Sequence, residues 1–320
     1  MKVLVVCSGN TPGGEEFNLK IHQAFIYEQE QSLKSFGVQM EYFLIKGKGI
    51  LGYLKHYAKL KKELTKNYEL IHAHNGLCGL ISNLQRKIPV ITTYHGSDIN
   101  LLHLRLISYF AIFWSARNIF VSKKQYLKSL IKRNIDIIPC GVDLAVFKLM
   151  DKSNSKHASN LSDEKKYILF SSAFSIKIKN KSLVNSAFKY LIKDDIELLE
   201  LKDKTREEVS LLINSCELLI LTSFSEGSPQ IIKESMACNC PIVSTDVGDV
   251  RNVIGETEGC YICSYDPEDV ADKVKLALGY SREKGRTNGR QRIIELGLGS
   301  DKIATRINSV YQNVLKNSKD

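Results

Sequence analysis

Short apolar runs rich in Val, Ile and Leu alternate along the chain with longer segments whose apolar positions recur every three or four residues. The first pattern marks buried strands, and the second marks helices packed on one face. Strands are predicted at 3–7, 38–45, 70–74, 90–95, 118–122 and 135–140, with helices such as 21–36, 51–66 and 123–133 between them. Residues 151–166, DKSNSKHASNLSDEKK, have only Ala158 and Leu161 as apolar positions, so this stretch reads as a polar linker. The alternation then resumes, with strands at 168–174, 196–201, 218–222, 241–246 and 261–263. Nearly continuous apolar strands separated by helices imply parallel sheets covered on both faces. The expected architecture is α/β: two Rossmann-like domains, residues 1–150 and 167–300, with parallel sheets facing across a cleft where a small molecule would bind. A final helix within 301–320 closes one domain or the other, and the pattern leaves that choice open.

Hydrophobic residues make up 43% and charged residues 25%, ordinary globular usage that excludes disordered, collagen-like and disulfide-scaffold chains. Charge is more informative. Lys and Arg number 45 against 35 Asp and Glu, and the net +10 lies wholly in residues 1–150, with 20 basic and 10 acidic side chains; residues 151–320 hold 25 of each. A basic half-chain suits an anionic partner, be it nucleic acid, a membrane surface or phosphorylated small molecules. Eight scattered cysteines suit a reducing compartment. The apolar run at 3–7 is too short for a signal-peptide core, and 106–116 is too short to span a bilayer. A cytoplasmic protein, soluble or peripheral on the inner face of the cell membrane, is expected.

The chemistry concentrates in residues 218–248, LLILTSFSEGSPQIIKESMACNCPIVSTDVG. A buried strand leads into a polar loop and then Ser228-Pro229, a favoured N-cap followed by a favoured first helical residue. The helix start so placed suits a phosphate group. Glu226 precedes that helix and Glu234 lies eight residues on; carboxylates accept paired hydrogen bonds from sugar hydroxyls.

The segment from Glu226 to Gly248 resembles the Glu-x7-Glu signature of retaining glycosyltransferases of family 4, the group 1 enzymes of GT-B fold. The resemblance implies that Glu226 holds hydroxyls of a donor sugar and Glu234 the nucleotide ribose, with Gly227, Ser228 and Gln230 offering amides to the diphosphate. Pro229 has no N–H to give. Thr93-Tyr94-His95-Gly96-Ser97-Asp98 resembles the family's Thr-x-His-Gly-x-Asp segment, which implies that His95 sits beside the reacting sugar. Phe120-Val121-Ser122 and the stretch from Ile137 to Phe147 resemble the segments that end the first domain. Lys179 occupies the place of the Lys that pairs with donor phosphates, and Pro12-Gly13-Gly14 resembles a Gly-Gly loop that approaches them. The implied function is a retaining transfer of sugar from a nucleotide diphosphate donor to a saccharide or lipid-linked acceptor, in bacterial surface polysaccharide or glycolipid synthesis. The catalytic groups so implied are His95, Glu226 and Lys179; no cofactor or metal is required, since Lys179 and the helix start would stabilise the leaving diphosphate.

Two departures qualify the resemblance. Where the family has Gly-Arg-Leu this chain has Ser172-Ala173-Phe174, which removes a phosphate-binding Arg and leaves Lys177 or Lys181 to replace it without the bidentate fork. The second domain is also short between Ile196 and Ser223. A non-catalytic nucleotide-sugar-binding protein is therefore the alternative, with a GT-B phosphorylase a further one. His72 and His74 share a strand face but have no evident third ligand, and Cys238, Cys240, Cys260 and Cys263 suit small apolar positions better than zinc. Lys55, Lys59, Lys62 and Lys66 on one expected helix, and Lys123, Lys124, Lys128, Lys132 and Arg133 on another, are solvated faces or a surface for anionic lipid. No nucleic-acid partner is expected, because no recognised module or aromatic stacking platform accompanies the charge.

Overall fold

The computed structural model describes residues 1–11, 16–129, 131–191 and 196–318. They form two compact units, Met1–Cys140 with Asp301–Asp320, and Gly141–Ser300. In chain order the first unit contains β1 (Lys2–Ser8), α1 (Leu19–His22), α2 (Ala24–Lys34), β2 (Gln39–Ile45), α3 (Gly49–Leu54), α4 (Tyr57–Glu63), β3 (Leu70–His74), α5 (Gly76–Asn83), β4 (Val90–Tyr94), α6 (Ser97–Asn100), α7 (Leu102–Trp114), β5 (Arg117–Phe120), α8 (Lys123–Lys128) and β6 (Ile135–Ile137). The second contains α9 (Lys152–Ala158), β7 (Lys166–Phe170), α10 (Lys181–Ala187), β8 (Ile196–Glu200), α11 (Arg206–Ser215), β9 (Leu218–Leu221), α12 (Gln230–Ala237), β10 (Ile242–Thr245), α13 (Val250–Ile254), β11 (Cys260–Cys263), α14 (Pro267–Lys284) and α15 (Gly289–Glu295). The last helix, α16 (Ser300–Asn317), returns to the first unit.

Every strand pair is parallel. The sheet orders are β2-β1-β3-β4-β5-β6 and β11-β10-β9-β7-β8. Each order reverses direction once, between β1 and β3 in the first sheet and between β7 and β9 in the second. At such a point the connections leave to opposite faces, and the loops beyond the strands' carboxyl ends open a binding crevice. All the predicted strands form, and the central ones are buried on both faces: Leu218–Leu221 is an unbroken apolar run, while Leu70–His74 and Val90–Tyr94 are wholly buried with His72 and Thr93 hydrogen-bonded to each other. Beneath the second sheet, Ile168, Phe170 and Ile220 pack with Val184, Val270 and Val274.

Helix continuity is where pattern and structure part. The helix predicted over 21–36 breaks at Gln23 (φ −137°, ψ 41°). The one over 51–66 divides into α3 and α4 around Lys55 and His56, so the expected lysine row does not lie on a single helix. The one over 123–133 stops at Lys128, where Ser129 turns extended and its hydroxyl bonds the Tyr126 carbonyl at 2.7 Å. Residues 151–166 are not a linker either: Asp151 caps α9 by accepting from the Asn154 amide at 2.9 Å, and α9 packs on α11. Its polar side chains are used internally. Buried Lys156 donates to the Lys165 carbonyl at 2.8 Å, and Lys152 pairs with Glu217 at 2.7 Å. The unit boundary accordingly falls at Cys140–Gly141 rather than at 150. With these bounds the first unit carries 23 basic and 11 acidic residues and the second 22 and 24, which sharpens the asymmetry.

Tyr311 fastens α16 to the first sheet. Its hydroxyl meets Nδ1 of the fully buried His72 at 2.6 Å, and His72 Nε2 meets the Thr93 hydroxyl at 2.7 Å. Burial depresses the His72 pKa from 6.5 to about 3. A depressed histidine pKa means that stability is complete above pH 6.5 and declines as pH falls from 6.5 toward 3. The expected loss is about 1–3 kcal/mol of unfolding free energy between about pH 7 and about pH 5.5, with His74 acting in the same sense. Urea melts at the two pH values check this; His72→Asn should flatten the dependence, and an unchanged slope would show that His72 does not cause it.

Candidate functional site

In the second unit the loops on either side of the reversal are those after β7 and β9, and they carry Lys179 and Glu226. They are joined by hydrogen bonds, one of them between backbones. Phe224 N–H donates to the Ile178 carbonyl at 3.0 Å, and the Thr222 hydroxyl donates to the Lys179 carbonyl at 3.0 Å. Lys179 Nζ then lies 2.6 Å from Glu226 Oε1, which also accepts from the Ser223 hydroxyl at 2.7 Å. Both side chains are mostly but not wholly buried, so the ion pair borders solvent.

The loop after β10 closes against this one. Gly248 has φ +55°, and a Cβ there would stand 2.5 Å from the Gly227 carbonyl oxygen, so only glycine permits this approach. The predicted helix start is displaced by one residue: α12 begins at Gln230, Pro229 holds the cap position, and no side chain caps it. The Ser228 hydroxyl is engaged elsewhere, donating to Asp249 Oδ2 at 2.5 Å and accepting from Lys233 Nζ at 2.6 Å. Gln230 donates its side-chain amide to the Gly141 carbonyl. The amides of Gly227, Ser228 and Gln230 thus belong to the open N-terminal end of α12, where a helix favours negative charge.

Glu234 is 2% exposed and pairs with Arg206, the first residue of α11, whose guanidinium also lies over the Phe147 ring at 4.6 Å. Each signature carboxylate therefore faces a cation, and Arg206 supplies a guanidinium beside Glu234. The motif offered no hint of it, because the pair joins residues 28 positions apart. Of the expected substitutes for the missing Arg, Lys181 lies over the Phe174 ring at 3.6 Å and Lys177 begins a short turn before Lys179. Lys233 was also missed. It is fully buried, with its ammonium bonded to the Ser228 hydroxyl, and nothing in the sequence around it, QIIKESMA, marks it as buried.

His95 lies in the first unit at the carboxyl end of β4. Its amide donates to Asp98 at 3.2 Å, and the Gly96 amide does so at 2.9 Å. Burial raises the Asp98 pKa to about 6 against the pull of those amides. His95 Nε2 is 2.9 Å from Nδ1 of buried His74, and the two rings are 5.1 Å apart and nearly parallel. Desolvation holds the His74 pKa well below its ordinary value, so a neutral His74 faces His95. Cys140 Sγ is 3.9 Å from His95 Nδ1. Gly13 and Gly14 lie outside the described residues. No group of three His, Cys, Asp or Glu that could hold a metal ion occurs among the described residues. The cysteines expected to be apolar are buried or half-buried free thiols, with burial pushing Cys238 to about 12 and Cys240 to about 11. No helix among those residues is long and apolar enough to cross a membrane.

Two doubly wound parallel sheets of this kind, with paired carboxylates at the second reversal, define the GT-B class. Residues 5–146 match the model of Glycosyltransferase Family 4, and residues 179–292 match that of Glycosyl transferases group 1. The chain belongs to this family of glycosyltransferases. It is 26% identical over 297 residues to N-acetyl-alpha-D-glucosaminyl L-malate synthase of Bacillus anthracis, covering 80% of this chain and 77% of that one. It is 23% identical over 244 residues to a putative teichuronic acid biosynthesis glycosyltransferase of Bacillus subtilis, covering 68% and 63%. Among solved structures, sucrose-phosphate synthase of Thermosynechococcus elongatus superposes with TM-score 0.81 at 14% identity, covering 99% of both chains. Anabaena HepE in complex with UDP gives 0.75 at 14% identity over 98% of this chain and all of that one.

The Lys233–Ser228–Asp249 relay yields a stability test. Lys233→Met keeps the aliphatic stem but removes the buried donor, and should cost about 1–3 kcal/mol in urea melts. Adding Asp249→Asn should recover part of that loss. Strictly additive effects would show that the relay does not couple them.

Proposed function

We propose that this glycosyltransferase moves a sugar from a nucleotide diphosphate donor to a hydroxyl of a saccharide or lipid-linked acceptor, with retention at the anomeric carbon. The observation that carries the reading is the Lys179–Glu226 pair at the second sheet's reversal, with Glu234 on the helix that starts there. Glu226 would take hydroxyls of the donor sugar, Glu234 those of the ribose, and the amides of Gly227, Ser228 and Gln230 the diphosphate. His95 is assigned to the reacting sugar through the family segment that contains it. In the reaction the bond from the anomeric carbon to the diphosphate oxygen breaks, and the acceptor oxygen bonds that carbon on the same face. The acceptor proton passes to the leaving phosphate. Lys179 would balance the charge that develops there, so the reading requires no metal ion.

UDP is the first nucleotide to try, since HepE binds it in its crystal structure. The acceptor class draws on relatives: one, 30% identical over 115 residues, is a Campylobacter jejuni N-acetylgalactosaminyltransferase acting on a diphospho-undecaprenol saccharide. That match covers 35% of this chain and 30% of the relative. An anionic membrane surface is the proposed partner of the basic first unit. The departure at Ser172-Ala173-Phe174 favours the second reading, a nucleotide-sugar-binding protein without turnover.

A thermal-shift panel of UDP, GDP, ADP and their sugars should find one base that raises the melting temperature. Glu234→Ala should weaken that nucleotide by about 10- to 100-fold, the worth of a charge-assisted bond. An unchanged affinity by calorimetry removes Glu234 from the ribose. Glu226→Ala should lower kcat/KM by about 100-fold or more while nucleotide affinity stays within about threefold. Full activity in that variant ends its sugar-positioning role, and binding with no turnover on any acceptor favours the second reading.

A further inference from the structure

In the first unit α7 is amphipathic in the inverse sense. Its inward side buries Ser108, Ala111 and Ile112, and the first two face α5, which packs on α7 through glycines. A Cβ at Gly76 would stand 1.8 Å from the Ser108 hydroxyl oxygen, and one at Gly79 would stand 3.2 Å from the Ala111 methyl. The outward side of α7 presents Leu102, Leu106, Tyr109, Phe110 and Phe113, each at least 40% exposed. Beside it α3 exposes Leu51 at 76%, together with Ile50 and Leu54. Between the two helices runs a groove of about 400 Å³ whose lining, including Trp114, is almost wholly apolar. A continuous apolar surface of this extent marks an interaction site.

The surroundings are cationic. Residues 41–63 and 69–136, which include this face and the elements behind it, hold fifteen Lys and Arg against five Asp and Glu, of which Asp98 is buried and Asp136 is paired with Arg117. Arg86 lies 4.2 Å over the Trp114 ring, Arg133 lies 5.4 Å from the Phe113 ring, and Lys48 and Lys55 flank α3. This combination decides the occupant. A second copy of the same face would bring two cationic rims together, and neither α3 nor α7 carries a carboxylate to answer them. An anionic bilayer satisfies both features, since its headgroups take the Lys and Arg while the apolar row enters the boundary of the acyl chains.

We infer that the α3–α7 face docks this protein on an anionic lipid bilayer, with the α7 row inserted and Trp114 at the interface. The inference deepens the proposed membrane partner and rests on that reading only for its purpose, which is to bring a lipid-linked acceptor to the unit that carries His95; α6 and α7 follow directly on the His95 segment.

The full chain is mixed with vesicles of equal parts phosphatidylglycerol and phosphatidylcholine, and with pure phosphatidylcholine vesicles. Cosedimentation should be at least about tenfold tighter on the anionic vesicles. It should weaken from about 0.1 M to about 1 M salt, as the screening length shortens. Trp114 is the chain's only tryptophan, so its emission should move to shorter wavelength on binding. Leu106→Glu/Phe110→Glu should lose at least about tenfold in vesicle affinity and the emission shift, yet keep the wild-type thermal shift with nucleotide. The more exposed Leu51→Ser/Leu102→Ser serves if the first variant does not fold. No binding to anionic vesicles, binding unaltered by either variant, or a dimer that these substitutions dissolve would each overturn the inference. None of these readouts requires donor or turnover, so a failure of the proposed transfer is recognised separately, by the nucleotide panel.

Discussion

The reversal of strand order between β7 and β9 is the constraint from which the candidate site follows. Two parallel neighbours whose connections leave to opposite faces cannot have their loops cover one another, so the ends of both strands stay open. The loop after β7 ends at Lys179, and the one after β9 holds Glu226. The register places Ile168, Leu169 and Phe170 beside Leu218, Leu219 and Ile220, so the loops emerge level and can be joined by hydrogen bonds. Gly248 then brings the loop after β10 against Gly227, which sets the floor beneath the start of α12. Strain-free closure there depends on the absence of a side chain.

Charge at that floor is arranged in opposed pairs. Glu226 faces Lys179 and Glu234 faces Arg206, so neither carboxylate is buried without a cation, a state whose desolvation cost would be severe. The same pairing holds the cations beside the helix start that the proposed reading gives to the diphosphate. A site of this sort can exchange one partner for another as ligand arrives, since sugar hydroxyls offer the carboxylates replacement donors while phosphate offers the cations replacement acceptors. The unit's acidic and basic residues nearly balance, so the anion binding of the proposed reading would rely on local geometry and not on an overall field.

Strands, their order of appearance and the Glu226–Glu234 segment were legible in the sequence because each leaves a local trace: a largely apolar run, or a polar turn ending in Ser-Pro before a helix. Less local features were not. Arg206 meets Glu234 through the fold, across 28 positions, and His74 meets His95 from a neighbouring strand across 21. The stretch at 151–166 misled because its polarity signals solvent in composition, whereas Asp151, Ser155 and Lys156 spend their polar groups on capping and on backbone carbonyls. Helix breaks at Gln23, at Lys55–His56 and at Ser129 escaped notice for a related reason. Apolar periodicity reports which face is buried, not whether the backbone between two turns remains continuous.

The most apolar stretch of the chain illustrates that last limit from the other side. Its length ruled out a span, and α7 indeed has 13 residues, far too few to cross a bilayer. Length, however, tests only one way of meeting lipid. Ser108, Ala111 and Ile112 turn inward, the first two against Gly76 and Gly79 on α5, where nothing larger fits, while Leu102, Leu106, Phe110 and Phe113 face outward. Small residues that look like interruptions of an apolar segment in the sequence are, in the fold, what determines that the segment faces away from the core. A helix with that orientation leaves Leu102, Leu106, Phe110 and Phe113 at least half exposed, so the rest of their burial is left to whatever the cationic first unit meets.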